Sequence, residues 1–218
     1  MIRAPLASQV SEIYPRVLDI AKGAALMTGT ELEVIFKIGM SNLLLNDTIT
    51  DVFYEKMVAI GAPEFNDEEI KFAKEIGTTF PSGDVRGFVI KAFGNAAGDL
   101  VPENENGVLL STIMPNTHTN YVLPGSTDVG DVSWVTPTGQ ITTTTQALGT
   151  PGHSWQIVAQ ARMGIGQKGM LFAGESMALT ALEFMSNPAR LKAAREEFEQ
   201  KISKTPYVCP IPDGVKPF

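Results

Sequence analysis

The spacing of apolar residues changes within the first 38 positions, and that change limits what the chain can fold into more than any other feature. From Ser8 onward, Val10, Ile13, Val17, Ile20 and Ala24 recur at steps of three and four, which is one stripe of an amphipathic helix. Ser8 is a candidate cap for its start, and Gly29 suits the left-handed conformation that ends a helix. Then "TELEVIFKI" sets Leu32, Val34, Phe36 and Ile38 against Glu31, Glu33 and Lys37, the alternation of a half-buried strand broken only at Ile35. With "MIRA" as a short strand, the chain opens as a compact strand–helix–strand unit.

The later stretches punctuate themselves. Asp47 and Thr48 are capping candidates before a helix carrying Ile49, Val52, Phe53, Met57 and Ile60, closed by Gly61 and Pro63. Asn66 and Glu69 stand in a capping-box relation ahead of Ile70, Ala73 and Ile76. Between Thr78 and Pro124, Gly, Pro and Asn recur so often that only "GVLLSTIM" reads as a buried strand, and the rest reads as long loops. "GQITTTTQAL" has the β-branched content of another strand. Two helices finish the chain. The first is expected to bury Met170, Ala173, Met177, Ala181 and Phe184; the second starts at the Asn187–Pro188 pair and carries Leu191, Ala194, Phe198 and Ile202.

Composition removes several classes of function. At 218 residues, 44% hydrophobic and 19% charged, the chain can bury a core, as one domain or as a small domain joined to a larger one. Asp and Glu number 24 against 17 Lys and Arg, a net charge of −7 with no basic cluster to track phosphates, so nucleic acid is not an expected partner. No run approaches the ~18 apolar residues of a membrane span, and the opening lacks the apolar core of a signal peptide; a cytoplasmic protein is expected. The single cysteine, Cys209, permits no intrachain disulfide and has no histidine near it in sequence to act as its base, so a packed or spare thiol is expected. "GIGQKG" lacks the spacing of a phosphate loop.

Two histidines remain, His118 and His153. A catalytic metal centre needs about three protein ligands and an open position. His153, in "GTPGHSW", has small neighbours that leave its imidazole accessible; it is either a metal ligand or an ordinary loop histidine, and its surroundings in sequence alone favour the second. His118, in "PNTHTN", has no ligand spacing and reads as a surface-loop residue. Asp128 and Asp131, three apart across Gly130, either bond their own turn or orient a metal-bound imidazole from behind.

Longer strings carry a resemblance. "LDIAKGAALMTGTELE", "GSTDVGDVSWVTPTG", "GTPGHSWQIVAQ", "KGMLFAGESMA" and "YVCPIPDGVKP" together resemble the C-terminal half of the M20-type metallo-amidohydrolases, nearest the branch that acts on p-aminobenzoyl-glutamate, a folate catabolite. The likeness runs over nearly the whole chain and is weakest between Gly77 and Pro124. It implies an α/β fold, α+β in this chain: residues 1–46 as the second half of a ferredoxin-like lid or dimerisation domain, and 47–218 as the C-terminal half of a zinc-peptidase-like catalytic domain. It implies hydrolysis of an N-acyl amide bond by metal-activated water, with zinc or manganese as the cofactor. It also implies that His153 is the last metal ligand, that Asp128 and Asp131 lie near the site, and that Asn42 is a substrate-contact candidate. The other ligands and the general base would come from an N-terminal half or partner subunit, and oligomerisation, with like or unlike chains, would run through the lid. No catalytic residue is expected in this half, and the chain alone is expected to be inactive and to hold metal weakly or not at all. The alternative is a non-catalytic dimerisation or interaction module on the same fold.

Overall fold

In a computed structural model, residues 1–81, 83, 85–101, 108–118, 121–123 and 125–215 are described. Among them the helices are α1 (Ala7–Thr28), α2 (Asp47–Ile60), α3 (Asp67–Gly77), α4 (Val85–Phe93), α5 (Asn95–Gly98), α6 (Val129–Ser133), α7 (Trp155–Ala161), α8 (Gly164–Ser186) and α9 (Pro188–Lys204). The chain divides into two compact units: Met1–Leu45, Pro124–Thr138 and Phe198–Phe218 form the first, and Asn46–Leu123 with Gly139–Glu197 form the second.

In the first unit α1 forms where the periodicity places it, and Gly29, at φ 63°, ends it in the left-handed conformation. Its start differs from expectation, because Ser8 lies inside the helix. The free amides are met by longer side chains: Leu6 N–H donates to Gln9 Oε1 at 3.1 Å, and Ala7 N–H donates to Asn42 Oδ1 at 3.1 Å. No residue of α1 is buried, and Ile20 and Leu26 are 72% and 85% exposed. The strand expected over Leu32–Ile38 is not formed among the described residues: 30–46 carry neither helix nor ladder, and Leu32, Val34, Ile35 and Ile38 are exposed. Residues 1–4 likewise carry no strand. A strand exists only through a ladder with a neighbour, so alternation without a partner yields a free apolar edge. Phe36 does reach the helix, edge-on to Tyr14 at 6.5 Å between ring centres.

The first unit buries Phe198 of α9 together with hydrogen-bonded polar groups. Ser133 is fully buried; its hydroxyl receives the Leu44 N–H at 2.8 Å and donates to the Gly130 carbonyl at 2.5 Å. A side chain at Gly130 would strike the Ser41 carbonyl, and one at Gly39 would strike Pro210, so both glycines are places where backbones touch.

The second unit has a hydrocarbon core. Ala73 and Ile76 of α3, Ala147 and Ile165 of α8 are buried together, with Phe65, Phe72, Leu109 and Ala159 packed around them. A second cluster joins Val89, Ala97 and Val101 with Phe93, Met114 and Leu148. The cap of α2 is Asn46, one residue before the expected pair: Asn46 Oδ1 accepts from Ile49 N–H at 3.1 Å, and its Nδ2 donates to the Ala194 carbonyl of α9 at 2.8 Å. The Asp47 and Thr48 amides are instead taken by the Glu197 carboxylate at 2.6 and 2.9 Å, a negative group at a helix start. The capping box of α3 forms as expected from Asn66 and Glu69. Burial pushes the Glu69 carboxyl upward, but Lys168 at 2.6 Å and the Asn66 N–H outweigh it and hold it below its usual range. Asn187 caps α9 at Pro188, accepting from Arg190 N–H at 3.3 Å.

Three expectations for this unit are corrected. Residues 78–124 are not all loop, because α4 and α5 lie there; Val85, Val89 and Phe93 are spaced as one helical face, and Val89 is buried. The inner face of α8 is not the methionine stripe: Ile165, Gly166, Gly169, Phe172, Ser176 and Thr180 are buried, while Met170 and Met177 face outward. The reason is close approach at its glycines, since a side chain at Gly169 would strike the Thr144 carbonyl. Finally, the two expected strands meet but make no ladder among the described residues. Leu148 N–H donates to the Val108 carbonyl at 2.8 Å, and the Thr144 hydroxyl, not a backbone amide, takes the Leu110 carbonyl at 2.9 Å. Gly107, the first residue of one of them, lies outside the described residues.

Candidate functional site

His153 sits in the turn that enters α7. Gly149, at φ 79°, begins the turn, and Ser154 precedes the helix with its hydroxyl donating to the Pro151 carbonyl at 2.7 Å. His153 itself takes φ 55°, a left-handed conformation costing a non-glycine residue about 1–2 kcal/mol. Strain of this kind persists where neighbours enforce it, and His118 shares it at φ 45°, so the conformation alone does not single out His153. The residue is exposed, next to the open side of Gly152.

Behind the turn lie two buried glutamines that sequence reasoning missed, and one of them, Gln160, bonds the turn itself. Gln160 of α7 is fully buried; its carbonyl accepts from Ala147 N–H at 2.6 Å, and its amide donates to the Thr150 hydroxyl at 3.1 Å and to the Gln156 carbonyl at 3.1 Å. Thr150 in turn donates to the Ala147 carbonyl at 2.7 Å. Gln156, also buried, donates to the Thr79 hydroxyl at 3.2 Å. The signal was their i, i+4 spacing on a helix whose exposed side carries Trp155 and Val158.

His118 is a surface residue with fixed partners. Its Nε2 lies 2.7 Å from an Asp51 carboxylate oxygen and its Nδ1 3.3 Å from one of Asp47, while Asn116 donates to Asp51 at 2.7 Å. Asp47 and Asp51, one turn apart on α2, thus hold this loop. Asp47 and Asp51 could have been paired from their spacing, but not with a histidine 67 residues away.

The remaining site residues expected from the sequence fall in the first unit. Asp131 is half-buried: Oδ1 accepts from the Ser41 hydroxyl at 2.7 Å and the Tyr207 hydroxyl at 3.0 Å, and Oδ2 from Ser41 N–H at 3.3 Å. Burial, then the Asp131 carboxylate, then the Cys209 thiol push the Tyr207 phenol up to about 12, so it stays a proton donor. Asn42 joins the same set, since its carbonyl accepts the Trp134 indole N–H at 2.7 Å while its side chain caps α1. Asp128 stands exposed ahead of α6, 3.3 Å from the Thr127 hydroxyl. The structure therefore gathers Asn42 and Asp131 into one hydrogen-bonded set, leaves Asp128 at its margin, and presents His153 in the second unit. Cys209 is an exposed free thiol.

As donors for a metal, the chain's two imidazoles are both exposed, and that of His118 is already engaged by Asp47 and Asp51. Among the described residues no three His, Cys, Asp or Glu side chains converge in a way that could hold an ion. His153 by itself is one candidate donor, too few to make a metal site. Among the described residues no helix is long and apolar enough to cross a membrane.

No family model matches the chain, and no solved structure matches it. The chain is 40% identical, over 220 aligned residues, to one of the subunits of p-aminobenzoyl-glutamate hydrolase from Escherichia coli (strain K12), a likeness that covers 100% of this chain and 46% of that relative. The chain thus spans about half the length of the curated protein it resembles.

Proposed function

We propose that the chain is the C-terminal part of a cytoplasmic M20-type amidohydrolase that cleaves an N-acyl amide bond of the p-aminobenzoyl-glutamate kind. The observation that carries this reading is the 40% identity running the full length of the chain. The presentation of His153, left-handed and exposed ahead of α7, agrees with a ligand offered outward to groups from another segment. A divalent ion, zinc or manganese, would supply acidification of a water toward a pKa of about 7 and polarisation of the scissile carbonyl. On this side His153 would hold its place in the donor set, and the Asp131 set would stiffen the segment beside Asn42. Residues 1–46 would be half of an α/β lid and 47–218 half of the catalytic domain. The N-terminal half would contribute the general base and remaining ligands, so this chain alone is inactive.

One observation favours the second reading, an interaction module without catalysis. α1 buries none of its residues, and the apolar edge over 32–38 is uncovered, as expected of a surface made for another chain.

Co-expression with a chain corresponding to the N-terminal half of the relative decides between them. Hydrolysis of p-aminobenzoyl-glutamate should appear, and His153→Ala should remove most of it. His118→Ala is the control, because it loses only exposed surface contacts with Asp47 and Asp51, worth up to about 1 kcal/mol. Complex formation without hydrolysis would leave the interaction module as the better account.

A further inference from the structure

We infer that Gln160 is the positioning residue of the His153 turn: its buried primary amide fixes the three residues ahead of the imidazole, so that the left-handed turn points the ring outward. The inference rests on the reading of His153 as a metal ligand and deepens it.

Every contact of that amide is internal. Gln160 is 0% exposed and Ala147 1%, so neither the glutamine carbonyl nor the Ala147 N–H has water as an alternative partner. Their 2.6 Å bond ties α7 to a core residue of the second unit, because Ala147 packs with Ala73, Ile76 and Ile165. The other end of the same amide reaches the Thr150 hydroxyl, which passes a hydrogen bond back to the Ala147 carbonyl. One planar group therefore bonds both the core residue Ala147 and the first polar residue of the turn, Thr150. Beyond Thr150, the Ser154 bond to Pro151 closes the other side. Between these ties the chain has only Pro151, Gly152 and His153 to turn in, and His153 takes the strained φ of 55°. A glycine there would adopt that conformation without help; a histidine needs its flanks held. Groups behind a metal ligand that fix its orientation commonly change metal affinity by about 10–100-fold when removed.

A glutamine is matched to this place. It offers one acceptor for Ala147 N–H and one donor for Thr150, and an apolar residue of similar length supplies neither. Gln160→Met therefore keeps the volume and removes both bonds. Thr150→Val removes the hydroxyl alone, and Thr150→Ser restores it.

The test has two arms. In the full chain, the two imidazoles give two sets of ring resonances, and His118, held by Asp47 and Asp51 within the same unit, is the internal reference. Gln160→Met should shift or broaden the His153 resonances and leave those of His118 in place. Equal changes in both, or none in either, would overturn the inference. Where Gln160→Met does not fold, the Thr150 pair decides: the valine variant should move His153 and the serine variant should not, and identical spectra for the two would count against Gln160.

In the complex with the N-terminal half, cobalt(II) affinity should fall about tenfold or more in Gln160→Met. Val52→Ala, a buried position of α2 outside the turn, should lower the melting temperature while leaving cobalt affinity unchanged. If His153→Ala binds cobalt like the parent, the ligand reading fails and takes this inference with it. If His153→Ala weakens binding and Gln160→Met does not, only the positioning role is lost.

Discussion

Ser133 in the first unit and Ile165 in the second are both fully buried, and they hold their surroundings by different physics. Around Ser133 the stabilising contacts are directed: a serine between Leu44 and Gly130, an aspartate shared by Ser41 and Tyr207, an indole on Asn42. Around Ile165 they are hydrocarbon packed on hydrocarbon. A hydrogen bond contributes about 1 kcal/mol net, whereas a buried aliphatic side chain contributes about 1.5–3 kcal/mol. The first unit therefore has geometry fixed in detail, and α1 buries none of its residues fully, with Val10, Tyr14 and Leu18 half-buried. The second unit holds the larger hydrocarbon core. The difference teaches how much of each unit's stability should rest on packing and how much on directed contacts.

Ile165 is where that contrast should break most sharply. Ile165→Ala should cost the second unit about 3–4 kcal/mol, read by denaturant unfolding with hydrogen exchange in α3 and α8; a loss under about 1 kcal/mol would mean that this core is not what holds the unit.

A smaller effect is expected at Asp131. Asp131→Ala leaves the Ser41 and Tyr207 donors without their acceptor, at a cost of about 2–3 kcal/mol, seen as faster exchange of the Ser41 and Leu44 amides. Alkaline pH reads the same contacts. The Tyr207 phenol is raised from 10.0 to about 12, so the folded unit holds that proton more tightly than the unfolded chain. Its stabilisation is complete below 10 and is lost as pH climbs from 10 toward about 12. Tyr207→Phe should flatten that part of the profile, and an unchanged slope would exclude Tyr207 as its source.

The smallest effect has the opposite sign. Thr180 Oγ1 in α8 is buried without a hydrogen-bond partner among the described residues. Thr180→Val keeps the shape and removes the orphan hydroxyl, which should stabilise the second unit by about 1 kcal/mol. Destabilisation by a similar amount would show that the hydroxyl is satisfied in solution, and thermal melts are enough to decide.

What could be read from the sequence was whatever neighbouring residues decide among themselves. The helix from Ala7 to Thr28, the left-handed stop at Gly29, the Asn66–Glu69 box and the Asn187–Pro188 start rest on residues within about one helical turn, and they formed, although Val17, Ile20 and Ala24 of the expected stripe are exposed. His153 was legible as an accessible ring between small residues. Its strained φ and the glutamines behind it were not, because Gln160 meets Ala147 and Thr150 only once α7 folds back on the turn. Periodicity showed that α8 has apolar faces without saying which one turns inward. Gly169 against the Thr144 carbonyl decided that, through close approach. The same limit applied to the segment from Leu32 to Ile38. Alternation is a local property, but a strand requires a second chain segment at hydrogen-bonding distance, and only tertiary structure can provide one.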